Sequence, residues 1–178
     1  MKNGFLLILL ALCFSVSSMA ADGSLLIANV SPVQTGSVSA QNWNKLLDIV
    51  QKKGQTLETE FGDYVYVEHI EPMDKSLPHI ANYFSLVGGK DAVGQFTFGR
   101  IEVVSENWQL DKNGNWEIDQ YLYRISPDGE IISASHVNMV QAKDRQILKY
   151  DSAGLDEVAS KANWQRILNN WYVQIGLD

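Results

Sequence analysis

The chain has 178 residues, with 14 basic and 21 acidic side chains and a formal net charge of −7. This acidic balance argues against nucleic acid and anionic membrane surfaces as partners, because both are bound mainly through basic residues. The single cysteine, Cys13, lies near the start of the chain. A mature protein that loses this part has no disulfide, no thiol nucleophile and no cysteine metal ligand.

Residues 1–20 have the features of a secretory signal peptide. Lys2 precedes an apolar stretch from Phe5 to Val16, and Ser18-Met19-Ala20 is a small-x-small cleavage site. The apolar stretch is shorter than the ~20 residues that a membrane-spanning helix needs. We therefore expect a periplasmic or secreted protein after signal peptide removal, and not an integral membrane protein.

The mature chain divides into an extended N-terminal segment, residues 21–38, and a single α+β domain, residues 39–178. The segment contains an apolar run from Ser24 to Val30, which predicts an edge strand or a segment packed on the domain. A helix is predicted over residues 39–53. Its apolar residues recur at helical spacing, and Lys52-Lys53-Gly54 is typical of a helix C-terminus.

A strand is predicted over residues 63–70. Its alternation places Tyr64 and Tyr66 on one face and Val65 and Val67 on the other. The next stretch, residues 79–98, fits either a helix or strands. Gly88-Gly89 interrupts it, and the four residues that follow are compatible with the start of a short helix.

An antiparallel β-meander is predicted next, with strands over residues 95–110, 116–126, 130–141 and 146–150. Asn113-Gly114 favours a two-residue type I′ turn after the first strand. Pro127-Asp128-Gly129 favours a three-residue loop after the second. The alternation slips near Gly99, which predicts a β-bulge there.

A C-terminal helix is predicted after Asp156 and Glu157, which suit its first turn. A broad apolar stripe predicts that it packs on the sheet. The stripe consists of Val158, Ala162, Ile167, Leu168, Trp171 and Ile175.

The two turns predict the register of the meander and, with it, a candidate ligand-binding site. A two-residue first loop places Asn107 opposite Gln120, and a three-residue second loop places Gln120 opposite His136. These three side chains would then form a row on one face and fix a ligand in an apolar pocket, with His136 as an acid or base. The alternative is an ordinary cross-strand ladder on a solvated face.

Other polar residues give weaker signals. Glu106 and Asp119 are expected on the other face, as an acid/base pair or simply as part of an exposed surface. Arg100 is expected to pair with Glu102 or Glu117, or to face an anionic ligand. The histidines lack metal-ligand spacing, and no cofactor motif is present, so no metal and no cofactor are predicted.

Residues 89–96, Gly-Lys-Asp-Ala-Val-Gly-Gln-Phe, resemble the helix opening of SnoaL-type proteins, which belong to the nuclear transport factor-like superfamily. Asp119 to Arg124, Asp128 to Ile131 and His136 are similar to that family's strand, hairpin and following strand with its histidine. The resemblance implies a cone-shaped α+β fold with a pocket between the helices and a curved sheet. It implies no single activity, because the superfamily mixes isomerases, hydrolases, binding modules and inert domains.

A START-like helix-grip fold has a similar order of elements. A helix within residues 89–98 favours the cone, and a strand favours the helix-grip. The expected function is binding of a small, largely apolar molecule in a pocket between sheet and helices. The alternatives are a cell-envelope interaction or accessory protein, and a SnoaL-like isomerase or hydrolase with His136 or Asp119 as the acid/base.

Overall fold

The structure is a computed structural model and describes residues 37–60 and 62–177. Within these residues, two helices flank seven strands. These elements are α1 (Ser37–Lys53), β1 (Gln55–Thr59), β2 (Gly62–Glu71), β3 (His79–Lys90), β4 (Phe96–Leu110), β5 (Trp116–Ile125), β6 (Ile131–Gln141), β7 (Ile147–Gly154) and α2 (Glu157–Gln174). The predicted signal peptide and the run from Ser24 to Val30 lie outside the described residues.

The seven strands form one sheet in which each strand pairs antiparallel with its neighbour in sequence, in the order β1 to β7. This confirms an α+β fold in which an antiparallel meander lies between two helices. The predicted helices and meander strands are found within a few residues of their expected ends. Strand β1 was not predicted.

Residues 79–98, which the sequence left open, form β3, a tight turn and the start of β4. The turn is closed by hydrogen bonds from Asp91 N to Gln95 O (2.9 Å) and from Gly94 N to Asp91 O (3.0 Å). No helix forms at this point. The bulge predicted near Gly99 is confirmed, because Val87 pairs with Arg100 while the next residue of β3 pairs with Phe98.

The four hairpins that connect β3 to β7 all have the same type of turn. In each, the residues on either side of a three-residue loop are joined by a backbone hydrogen bond, and the third loop residue has a positive φ. These loop residues are Gly94, Gly114, Gly129 and Arg145. This is the type I turn followed by a left-handed residue, a common three-residue hairpin connection.

The predicted register is wrong by one residue in both central hairpins. The Asn113-Gly114 turn is a three-residue loop and not the expected type I′ turn, so Asn107 pairs with Asp119 and not with Gln120. The second loop is three residues long, as predicted. However, an irregularity between Arg124 and Ile125 shifts the pairing, so Gln120 lies opposite Val137 and not opposite His136.

Both helices pack on one side of the sheet, here called the helix face. Its buried side chains include Val65, Phe84, Leu86, Ile101, Val103 and Tyr123. The ring of Phe84 lies 6.0 Å from Trp43 of α1 and 5.8 Å from Trp171 of α2. In α2, Trp164, Ile167 and Trp171 face this core, whereas Val158, expected in the stripe, is 79% exposed.

The alternate residues of the strands form the opposite face. It contains Tyr64, Tyr83, Glu102, Val104, Glu106, Trp108, Gln120 and Val137, all of them buried. Neither α1 nor α2 lies on this side, since the side chains they pack against belong to the helix face. The sheet is therefore buried on both sides in its centre, and among the described residues the buried carboxylates, Glu102 and Glu106, lie on the opposite face.

Candidate functional site

The three residues of the predicted row do not form one site. Asn107 and His136 point to the helix face, and Gln120 points to the opposite face, because the register differs from the expected one by one residue. Asn107 is exposed, Gln120 is buried, and His136 is partly buried. The row is wrong as a geometric prediction, and Gln120 instead belongs to a different polar cluster.

That cluster is centred on Glu106, which is only 1% exposed. One oxygen of its carboxyl group accepts a hydrogen bond from Trp108 Nε1 (2.8 Å), and the other accepts one from Gln120 Nε2 (2.7 Å). Trp108 lies two residues along the same strand and Gln120 lies directly across on β5. We call Glu106, Trp108 and Gln120 the Glu106 cluster.

Burial raises the pKa of the Glu106 carboxyl to about 7, against the opposing effects of its two hydrogen bonds and of Lys75. The expectation of an exposed Glu106 next to Asp119 is therefore wrong, because the two residues lie on opposite faces. Close to neutral pH this carboxyl group exists in both protonation states. It is thus chemically able to accept or to donate a hydrogen bond.

Aromatic side chains surround the Glu106 cluster. The ring of His79 stacks on Trp108 with centroids 5.3 Å apart, and Trp116 approaches both rings edge-on. Tyr83, on the same face of β3, is buried, and burial together with the charge of Glu106 raises the pKa of its hydroxyl group. An apolar and aromatic wall with a few fixed polar groups is typical of small-molecule sites.

A second buried carboxylate, Glu102, lies four residues before Glu106 on the same face of β4. Its Oε1 accepts a hydrogen bond from Arg100 Nε (3.1 Å) and lies 3.5 Å from Arg124 Nε. The predicted pairing of Arg100 with Glu102 is therefore confirmed. The opposite face thus carries two buried carboxyl groups, Glu102 and Glu106, whose Cα atoms are about 14 Å apart along the strand at about 3.4 Å per residue.

The helix face carries one further arrangement of interest. His136 Nε2 contacts Asp119 Oδ1, and the ring of His136 stacks on Tyr121 with centroids 4.5 Å apart. The side chains of His136 and Asp119 are 29% and 44% exposed. A carboxylate that orients a histidine is a common part of acid/base sites, and it is also common on ordinary protein surfaces.

The sequence offers little signal for the buried carboxylates. Between Ile101 and Trp108 four of the eight residues are polar, two on each face of the strand, so the stretch lacks the apolar pattern of a strand that is buried on both sides. Glu106 was expected on an acid/base or exposed face, and Glu102 was expected only as a partner of Arg100.

Among residues 37–60 and 62–177, no group of three His, Cys, Asp or Glu side chains is arranged to hold a metal ion. Within the same residues, neither helix is both long enough and apolar enough to cross a membrane.

No protein-family model, no curated protein and no solved structure matches the chain. The SnoaL-like resemblance therefore stays a prediction.

Proposed function

We propose that the protein is an exported domain that binds a small, largely apolar molecule on the opposite face of the sheet, with the Glu106 cluster as its polar anchor. The observation that carries this proposal is Glu106 itself. Its carboxyl group is buried among aromatic side chains, on the side of the sheet that has no contact with α1 or α2. Export rests on the signal-peptide features of residues 1–20.

We place the ligand on this face because the buried carboxyl groups lie here, whereas the side chains between sheet and helices, where the pocket was first expected, form the apolar core. Trp43, Phe84 and Trp171 meet there in edge-to-face contacts, and Leu46 and Ile101 are fully buried. Residues 89–98 form the end of β3, a turn and the start of β4, and the absence of a helix at these residues favours the helix-grip arrangement over the cone. We therefore take the helix-grip as the more suitable description of the fold.

The energetic argument concerns the cost of burying Glu106. An ionised carboxylate loses much of its hydration in a protein interior, and two neutral donors replace it only in part. Only a replacement of the whole Glu106 cluster by apolar side chains of similar volume would avoid this cost, because Trp108 and Gln120 would otherwise lose their acceptor. Groups whose pKa is strongly shifted by burial cluster at functional sites, which supports a binding role for this residue.

The experiment is native mass spectrometry of the mature protein purified from its own host, followed by a search for retained small molecules. The wild-type protein should carry a ligand, and Glu106→Gln should carry much less of it. Asn107→Ala is the matched control, since Asn107 is exposed on the helix face of the same strand. Equal retention by all three proteins, or no retained ligand in any, would contradict the proposal.

A second candidate is a SnoaL-like isomerase or hydrolase, and the contact between His136 and Asp119 favours it. In that case His136 acts as the acid/base and Asp119 orients its ring. His136→Ala and Asp119→Asn should then lower turnover of a candidate substrate by at least about 100-fold, while binding on the opposite face is retained. Unchanged turnover in both variants would remove this candidate.

A third candidate is an interaction or accessory protein of the cell envelope. Several apolar side chains at the β2–β3 end of the sheet are exposed, with Met73 at 89% and Leu77 and Ile80 each at 50%. Exposed apolar surface of this kind is often used for protein contacts. Crosslinking in intact cells from a cysteine placed at Met73 should then capture a protein, and a failure to capture any would argue against this function.

A further inference from the structure

The second carboxylate of the opposite face, Glu102, is incompletely satisfied. Its Oε1 is occupied by Arg100 and lies close to Arg124, but its Oε2 has no hydrogen-bond partner among the residues that the structure describes. The side chain is only 1% exposed. An anionic oxygen without a donor is costly inside a protein, so a ligand that supplies a donor at this point gains affinity.

The surroundings of Glu102 restrict the kind of donor. Two guanidinium groups lie beside the carboxylate, so a positively charged ammonium group would be repelled at close range. A negatively charged head group would have to approach the free oxygen of Glu102, and it brings no donor. A neutral hydroxyl or primary amide group avoids both repulsions and donates the missing hydrogen bond.

The side chains between Glu102 and Glu106 suit an apolar body. Val104 lies midway between them on the same face, with Tyr83 on one neighbouring strand and Leu122 on the other. Val104 and Tyr83 are buried. A chain of several methylene groups lying along β4 would therefore contact apolar and aromatic surface from one carboxyl group towards the other.

We propose that the ligand of the opposite face is a neutral amphiphile whose hydroxyl or amide head donates a hydrogen bond to Glu102 Oε2, with its apolar part lying over Val104. This inference rests on the proposed function and specifies the class of molecule for the same site. It assigns Glu102 as the residue that selects the head group.

The test uses four probes with the same eight-carbon chain: 1-octanol, 2-octanone, octylammonium and octanoate. Their affinities for the mature wild-type protein are measured by isothermal titration calorimetry. We expect 1-octanol to bind about tenfold more tightly than 2-octanone, because only the alcohol supplies a donor. Octylammonium and octanoate should both bind more weakly than 1-octanol.

Glu102→Gln gives a result that a purely structural role would not produce. The new NH₂ group donates at the position of Oε2, so the ketone oxygen of 2-octanone should gain affinity, and the hydroxyl oxygen of 1-octanol can accept the same hydrogen bond. The tenfold preference should therefore fall to within about twofold. Glu117→Gln makes the same chemical change at an exposed position on the helix face of β5 and should retain the full preference.

The outcomes separate the two proposals. If wild-type protein binds none of the four probes, the binding function itself is contradicted. If it binds 1-octanol and 2-octanone equally, or octanoate most tightly, binding on this face stands and the assignment of Glu102 is overturned. If Glu102→Gln does not fold, the four wild-type affinities alone decide, since equal affinities for the alcohol and the ketone refute the inference.

Discussion

Glu106→Gln should change how the stability of the protein depends on pH. Burial raises the pKa of Glu106 from its ordinary value of 4.5 to about 7 in the folded protein. Between these two values the folded chain holds more protons than the unfolded chain, so the free energy of unfolding falls as the pH rises. The contribution of this group is fully present below about pH 4.5 and is lost above about pH 7.

The magnitude follows from the interval between the two pKa values. Each pH unit between the two pKa values is worth about 1.4 kcal/mol. The titration of Glu106 should therefore lower the free energy of unfolding of the wild-type protein by about 3 kcal/mol over this pH interval. The variant keeps a hydrogen-bonded cluster, because Trp108 Nε1 still donates to the remaining oxygen. Gln120 then needs only to turn its amide group so that its oxygen accepts from the new NH₂ group.

The assay is urea unfolding of ligand-free protein at pH 5, 6, 7 and 8, with wild type, Glu106→Gln and Glu117→Gln side by side. Relative to wild type, Glu106→Gln should gain about 3 kcal/mol of stability between the lowest and the highest pH. Glu117→Gln, at an exposed position, should follow the wild type. Parallel curves for wild type and Glu106→Gln, within about 0.5 kcal/mol, would refute the buried-carboxylate argument.

The backbone and the core give further predictions, each measured by urea unfolding. Gly88→Ala should cost at least about 3 kcal/mol, because its Cβ would lie 1.8 Å from a carbonyl oxygen of β4, whereas Gly89→Ala, with open space, should cost less than about 1 kcal/mol. Gly114→Ala should cost about 1–2 kcal/mol, since its φ is +77°. Leu46→Ala, at a fully buried position, should cost about 2–5 kcal/mol. Tyr123→Phe should cost about 1 kcal/mol, because its hydroxyl group donates to Ser160 O at 3.1 Å. A cost for Gly89→Ala equal to that of Gly88→Ala would contradict the close-approach argument.

The elements of the fold were predictable because hydrophobic spacing is local. Helical spacing in α1 reports which side of the helix is buried, and this signal lies within a few residues. Residues 79–98 were not predictable in this way. Phe84, Leu86 and Val87 are all buried, since both faces of β3 are covered, and a continuous apolar run fits a helix or a strand equally well.

The turn type was the first source of error in the register. Asn-Gly favours a type I′ turn, but Asp111 precedes it and accepts hydrogen bonds from the backbone N–H groups of Asn113 and Asn115, both at 2.8 Å. These bonds stabilise a type I turn in which Gly114 takes the left-handed position. Aspartate at the first position and glycine at the fourth are typical of that turn, and the same spacing occurs at Asp91 and Gly94.

The candidate site depends on register more than on any single residue type. A shift of one residue in a strand moves each side chain to the other face. The longer first loop and the irregularity between Arg124 and Ile125 together remove Gln120 from the predicted row and place it against the buried carboxyl group of Glu106. Without Gln120, the buried carboxyl group of Glu106 would lack one of its two hydrogen-bond donors. The observed register therefore separates the residues of the predicted row and, at the same time, lowers the cost of burying Glu106. The turns and the irregularity therefore determine the chemistry of the opposite face, although none of their residues lies within the Glu106 cluster.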